Sequence, residues 1–346
     1  MSRRRWPLPL AVAVTVTVAV TVLATACGSG PGGAGPIVLK VTDPGNAGPL
    51  AVGKRDGTFD RALAPLGAKI EWVRTSPGFS SMLKLFNTSE LDVSQAAFSP
   101  VVGALSKDVP VRIVAVQDPA DQDQAGIIAT RESGIRAVGD LVGRRVAVNP
   151  AGKGEYIVLK ALAQSGIPAE KVTRVPLQQK DAAPAFASGK VDAWASFLVP
   201  YQEAKANGGV EIATERSIGS RDNSVVVFRT EVLERHAGVA AAFLGALRQL
   251  TVRQRAIPTE FENVFDRTGP QALSGQRLAD ALRVDAQATV PRLPSAEDAE
   301  ALADVVNLFH ANGVVSRPIT AADIFYDLAS KLPPEQAAAL ASEQVK

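Results

Sequence analysis

Arg145-Val-Ala-Val148, then Asn149-Pro-Ala-Gly-Lys-Gly154, then Glu155-Tyr-Ile-Val-Leu-Lys-Ala-Leu162 is the stretch that decides the fold class. A short apolar run of strand length leads into a Gly-rich loop. A helical pattern over residues 153–165 follows, and a second strand is expected at 172–177. Strand, loop, helix and strand in that order imply a parallel sheet with helices packed on its faces.

The same alternation extends in both directions. Residues 68–73 place Ile70 and Trp72 on one face and Lys69 and Glu71 on the other, which is strand periodicity. Further strands are expected at 37–41, 91–97, 111–116, 126–130, 193–197 and 225–228. Helices are expected at 50–66, where Gly53 and Gly57 weaken the pattern, and at 80–87, 137–141, 181–188 and 200–206. After residue 228 the chain turns helical. Phe243, Leu244, Leu247 and Leu250 share one face, as do Leu302, Val305, Val306 and Phe309. No internal repeat is visible.

Composition narrows the function. The chain has 346 residues, 46% hydrophobic and 21% charged, with 37 basic and 35 acidic side chains. That excludes a disordered or collagen-like chain and a polytopic membrane protein. The near-neutral balance argues against nucleic-acid binding. A single Cys excludes a disulfide framework or a Cys-rich metal site. His236 and His310 are the only histidines, and each is read as structural or surface-placed.

Arg3, Arg4 and Arg5 precede an uncharged run over 6–26, the layout of an export signal. Leu23-Ala-Thr-Ala-Cys27 resembles a bacterial lipobox, so residues 1–26 are expected to be cleaved and Cys27 to carry a lipid. A single membrane anchor is the alternative, since ~17–25 residues suffice to span. Ser2-Arg-Arg4 faintly resembles a twin-arginine signal. Cleavage removes three of the 37 basic side chains and no acid, leaving 34 against 35. Residues 27–36 read as a flexible tether. The formal GxGxxG at Gly28, Gly30 and Gly33 is interrupted by Pro31 and follows no strand, so it is not a dinucleotide site.

Ligand sites in such sheets lie beyond the carboxyl ends of strands, where loops enter helix N-termini. Four loops qualify: Thr42-Asp-Pro-Gly-Asn46, Arg74-Thr-Ser-Pro-Gly78, Phe98-Ser-Pro100 and Asn149-Pro-Ala-Gly-Lys-Gly154. Their Gly, Ser, Thr and Asn residues expose N–H and hydroxyl donors, which suit an anion. Asp43-Pro-Gly45 also has ordinary turn chemistry. Ser81-Met-Leu-Lys84 matches SxxK, but no KTG or SDN accompanies it. Gly152-Lys-Gly154 lacks the remainder of a P-loop.

Several stretches, in this order, carry a resemblance. They are Gly53-Lys-Arg-Asp-Gly57, Leu63-Ala-Pro-Leu-Gly67, Ile70-Glu-Trp-Val73, Ser76-Pro-Gly78 and Glu90-Leu-Asp-Val93. Ala137-Val-Gly-Asp-Leu-Val-Gly-Arg-Arg-Val-Ala-Val148 and Tyr156-Ile-Val-Leu-Lys-Ala-Leu162 follow. Ala185-Phe-Ala-Ser-Gly-Lys-Val-Asp-Ala-Trp194 is the most diagnostic. Over about residues 37–330 the chain resembles the solute-binding proteins of ABC importers for aliphatic sulfonates, taurine and nitrate. Three places depart from that pattern: Ala151-Gly-Lys-Gly-Glu-Tyr156, Phe197-Leu-Val-Pro-Tyr201 and Gln95-Ala-Ala-Phe-Ser-Pro100.

The resemblance implies an α/β, two-lobed type II periplasmic-binding-protein fold, each lobe a mostly parallel sheet flanked by helices. Lobe 1 would comprise 37–124 and the return 225–346 with its C-terminal helices; lobe 2 would be 125–224. Crossings near 123–126 and 222–224 would be the hinge. An anion would sit in the interlobe cleft, held by Thr42, Asn46, Ser76, Gly78, Ser99, Gly152, Lys153, Gly154, Tyr156 and Asn223, against Phe98, Trp194 and Phe197. Glu155 either complements its helix dipole or meets a ligand amine. No catalytic residue, metal or cofactor is implied. The implied partners are a small organic anion or zwitterion, a permease and ATPase, and the membrane through the lipid. The protein would be a monomer at the outer face of the cytoplasmic membrane. Two alternatives are an enzyme like the thiamine-pyrimidine synthases, which carry a Cys-rich motif absent here, and a ligand sensor for a membrane receptor.

Overall fold

The computed structural model describes residues 36–120, 124–317 and 319–342. The export signal, Cys27 and nearly all of the expected tether lie outside the described residues. The chain enters through β1 (Ile37–Thr42), α1 (Gly48–Asp56), α2 (Thr58–Leu63) and β2 (Ala68–Val73). Next come α3 (Leu83–Asn87), β3 (Val93–Ala97), α4 (Phe98–Leu105) and β4 (Val111–Gln117). A second series holds β5 (Ala125–Ala129), β6 (Arg145–Val148), α5 (Lys153–Gln164), β7 (Thr173–Pro176), α6 (Gln179–Ala187), β8 (Ala193–Phe197), α7 (Leu198–Ala206) and β9 (Val210–Thr214). The chain then returns through β10 (Ser224–Arg229), α8 (Thr230–Arg235), α9 (Ala237–Ala256), α10 (Gly275–Asp285), α11 (Ala296–Ala311), α12 (Ala321–Ile324) and α13 (Pro334–Ala341).

The strands form two five-stranded sheets, ordered β2-β1-β3-β10-β4 and β7-β6-β8-β5-β9. Each is mostly parallel. In the first, β1 lies parallel to β2 with Leu39 beside Ile70 and Val41 beside Trp72, and parallel to β3. β10 runs against both β3 and β4. In the second, β6 is parallel to β7 and β8, while β5 runs against β8 and β9. The reversed strand in each sheet is thus the one entered directly after the chain crosses from the other sheet.

Local chemistry explains where the observed elements differ from the expected ones. The single helix expected over 50–66 is two, because Gly57 adopts φ 68° and its N–H closes α1 on the Gly53 carbonyl. The helix expected at 80–87 begins as a short 3-10 turn at Phe79–Ser81 before α3. α4 has all eight residues buried, so it offers no polar face to betray its period. β9 was not expected from its short, mixed Val210-Glu-Ile-Ala-Thr214 pattern.

One apolar core runs under both sheets. It joins Val102 of α4 and Ile113 and Val116 of β4 to Ile127 of β5, Ile157 of α5 and Val305 of α11. A second core fills the other face of the first sheet, with Leu39 and Val41 against Phe59, Phe243 and Leu247; Phe59 and Phe243 stack at 4.7 Å. A third, smaller core holds Phe186, Trp194 and Tyr201 beside the second sheet. Among the described residues no helix is long and apolar enough to cross a membrane.

Candidate functional site

The carboxyl ends of β1, β3 and β8 open onto a cleft of about 680 Å³. The first sheet's loops bring Thr42, Ser76, Gly78, Phe79 and Ser80 to its wall. The second sheet's loops bring Asn149, Lys153 and Phe197. The segment that returns the chain to β10 adds Glu215, Ser220, Asp222 and Asn223. The two walls approach closely at one point. A Cβ placed on Gly78, whose φ is 88°, would lie 4.0 Å from the ring tip of Phe197.

An ionic cluster forms part of this wall. The Lys153 ammonium donates to Glu215 Oε1 at 2.6 Å and to the Asp222 carbonyl at 3.3 Å, and stands 3.5 Å from Asp222 Oδ2. Burial alone would pull the Lys153 ammonium down, but Glu215 and Asp222 outweigh it and hold the group well above its ordinary value. Ser220 donates its hydroxyl to Glu215 Oε1 at 3.1 Å. Asp222 is also occupied at its other end. Its Oδ1 accepts the Ser99 N–H at 2.8 Å and its Oδ2 the Ser99 hydroxyl at 2.6 Å. A carboxylate therefore already sits at the N-terminus of α4, where the helix dipole favours negative charge. Two carboxylates share one ammonium, so the cluster itself is net negative.

Six of the residues expected at the ligand line this cleft: Thr42, Ser76, Gly78, Lys153, Phe197 and Asn223. Lys153 is nonetheless spent on Glu215 and Asp222 rather than left open to an anion. The other expected residues pack away from the lining. Asn46 is fully used within the first sheet's loops. Its Oδ1 accepts the Phe265 and Asp266 N–H groups, and its Nδ2 donates to the Asp266 and Gln271 carbonyls. Phe98 is buried edge-on against Phe325 at 6.1 Å, and Trp194 packs on Phe186 at 5.9 Å. Ser99 is buried beneath Asp222.

Gly152 and Gly154 serve Asn149 instead. A Cβ on Gly152 would come within 1.9 Å of Asn149 Nδ2, and one on Gly154 within 2.7 Å of both Asn149 Oδ1 and the Ala195 carbonyl. The Gly154 N–H donates to Asn149 Oδ1 at 2.7 Å, so this side chain caps α5. Tyr156 is buried, and its hydroxyl accepts the Arg221 N–H at 3.4 Å. Burial, then Asp222, pushes its phenol up to about 12. Glu155 accepts the Ala151 N–H at 2.7 Å and pairs with Arg174 at 3.4 Å, which leaves it with the helix end rather than the cleft. Asp43 accepts the Gly45 N–H at 3.2 Å as the turn chemistry predicts, and it pairs with Lys54 at 2.7 Å.

Sequence reasoning missed Glu215, Ser220 and Asp222. A lysine placed in a cleft loop needs counter-charge when it is buried. The polar run Glu215-Arg-Ser-Ile-Gly-Ser-Arg-Asp222, just before the crossing, was the place to look for it. Phe79 was missed because it opens a 3-10 turn instead of an amphipathic helix. Among the described residues no cluster of three His, Cys, Asp or Glu side chains could hold a metal ion.

Comparison with known proteins adds to this geometry. A family profile described as NMT1/THI5 like matches residues 69–259. A Bacillus subtilis (strain 168) protein provisionally named as aliphatic sulfonates-binding is 29% identical over 209 residues, 60% of this chain and 62% of that one. The taurine-binding periplasmic protein of Escherichia coli (strain K12) is 25% identical over 201 residues, 57% of this chain and 60% of that one. The matches thus span less than two thirds of these relatives' length. The solved structure of the alkanesulfonate-binding protein SsuA of Xanthomonas axonopodis pv. citri, bound to MOPS, superposes with a TM-score of 0.71 at 21% identity. It covers 85% of this chain and 99% of its own. The two-lobed periplasmic-binding-protein fold is therefore the fold of this chain.

Proposed function

The chain belongs to the NMT1/THI5-like family, and on that premise we propose that it is the solute-binding component of an ABC importer, capturing a small sulfonate between its two lobes outside the cell. The observation that carries this reading is the cleft of about 680 Å³, whose wall draws on both sheets and on the segment that joins them. Lobe 1 (37–124 with 225–346) and lobe 2 (125–224) would close about the two crossings, as hinged binding proteins do. A sulfonate stays ionised at physiological pH, so binding it requires convergent donors and exclusion of water rather than an acid or base. Thr42, Ser76 and Ser80 on one wall and Asn149 on the other supply neutral donors, and Phe79 and Phe197 supply apolar surface for an alkyl chain. Hydrogen bonds to a charged acceptor are roughly twice as strong as neutral ones.

Calorimetric melting with alkanesulfonates, taurine, nitrate and sulfate tests the reading. A ligand at about 100 times its Kd stabilises by ~2.7 kcal/mol, which raises the midpoint by several degrees. At least one sulfonate should do so and be recovered unchanged. No shift with any sulfonate, or turnover of one, ends the reading. The lipid on Cys27 belongs to the same proposal, with permease and ATPase as partners. Cys27→Ala protein should leave the membrane fraction, and retention there of a fully processed Cys27→Ala chain would count against the anchor.

A further inference from the structure

A second cavity of about 760 Å³ lies between α7 and α10, and its lining shares Pro44, Ala47, Gln124, Leu198 and Val284 with the cleft. The sulfonate reading makes no use of the charges in it. Its bases are engaged. Lys205 pairs with Glu211 at 2.6 Å and Arg277 with Glu203 at 3.5 Å, while Arg216 and Arg283 each have a partner. Asp280 accepts from Gln276 at 3.2 Å. Glu262 and Asp285 differ, for neither has a cationic partner among the described residues.

Asp285 is the more telling of the two. It is only 8% exposed. Its Oδ1 accepts from Gln254 Nε2 at 2.8 Å, but its Oδ2, also buried, has no hydrogen-bond partner among the described residues. An orphaned carboxylate oxygen in a cavity wall is costly unless a donor arrives. Burial pushes the Asp285 carboxyl up to about 6; burial, then Asp285, pushes Glu262 up to about 7. A cation between them would relieve both. A bare metal ion would want a third ligand, and the described residues offer no such cluster. The cleft itself points the same way. Its lining carries Asp43, Asp118, Glu215 and Asp222 against Lys153. Asp43 and Asp118 are matched by Lys54 and Arg292, but Lys153 is shared by two acids. A ligand with a single negative charge and nothing to offset it suits such a wall poorly.

We propose that the outer cavity is a subsite for a cationic group of the ligand, an ammonium remote from the sulfonate, received by Asp285 Oδ2 with Glu262 beside it. This rests on the sulfonate reading above and narrows the substrate class to zwitterionic aminoalkanesulfonates. Titration calorimetry on the full chain with 3-aminopropanesulfonate, propanesulfonate and propylammonium tests it. The aminosulfonate should bind about ten-fold or more tighter than propanesulfonate, the scale of one charged hydrogen bond. Asp285→Asn, which keeps the acceptor for Gln254, should bring the two affinities to within about two-fold of each other, and Glu262→Gln should narrow the gap in the same direction. Equal affinities in the unmodified protein, or a preference undiminished in Asp285→Asn, would overturn the subsite and leave the sulfonate reading standing. Failure of both sulfonates to bind would overturn the two together.

Discussion

Lys153 shows how one residue's role depends on its neighbours. In the sequence it is a cation in a Gly-rich loop at a helix start, which suits an anion. In the fold its ammonium is the counter-charge of Glu215 and of Asp222, whose side chain is fully buried. Removing it strands two carboxylates inside the protein, and breaking a buried pair by deleting one partner costs ~3–5 kcal/mol. Lys153→Ala should therefore lower the unfolding free energy by about that amount in urea at neutral pH, and adding Glu215→Gln should recover part of the loss, since one of the stranded charges is gone. If Lys153→Ala were as stable as the parent to within ~0.5 kcal/mol, a typical surface-substitution value, the cluster would not be structural and Lys153 would return to the list of anion receptors.

The helices and strands were far more legible than the site they frame. β2, β6 and β8 fall where alternation and apolar runs placed them, because each strand answers to its own few residues. α5 was legible for the same reason: its Gly-rich entry and apolar stripe are both local. α4 was not read as an element because all of it is buried and only the packing around it shows what it is. The ligand-facing set suffered from the same non-locality. Whether a helix N-terminus is open to a ligand depends on what else reaches it. Asp222, 123 positions further along the chain, reaches the Ser99 N–H. Asn149, only five residues away, caps α5. Phe98 and Trp194 follow the same logic. Each ends or follows a strand at the cleft end of its sheet, yet the ring turns into the core, where Phe325 and Phe186 receive it. Spacing fixes which end of a sheet a side chain occupies; its direction is set by partners far away in sequence.

At the scale of the whole molecule the two sheets are not independent bodies. α11 packs on both α4 and α5, and the largest apolar core contains residues of β4 and β5 alike. The tightest point of that junction is Gly103 on α4. A Cβ there would lie 2.1 Å from the Ala151 carbonyl oxygen and 2.7 Å from the Ala151 Cβ, so the helix and the loop before α5 meet backbone to backbone. Ala151 itself sits at φ 48° and donates its N–H to Glu155, so the loop has little room to retreat. Gly103→Ala sets two effects against each other. Alanine gains ~1 kcal/mol of helix propensity over glycine, whereas forcing a methyl into packed backbone costs ~1–3 kcal/mol. The obstructing atom is a carbonyl rather than the end of a flexible side chain, so the clash should win. Scanning calorimetry should then show Gly103→Ala melting below the parent, still in one transition, because a core shared by both sheets cannot give way on one side alone. A midpoint at or above the parent's would mean that the junction yields freely, and two resolved transitions would mean that the lobes fold and melt as separate units.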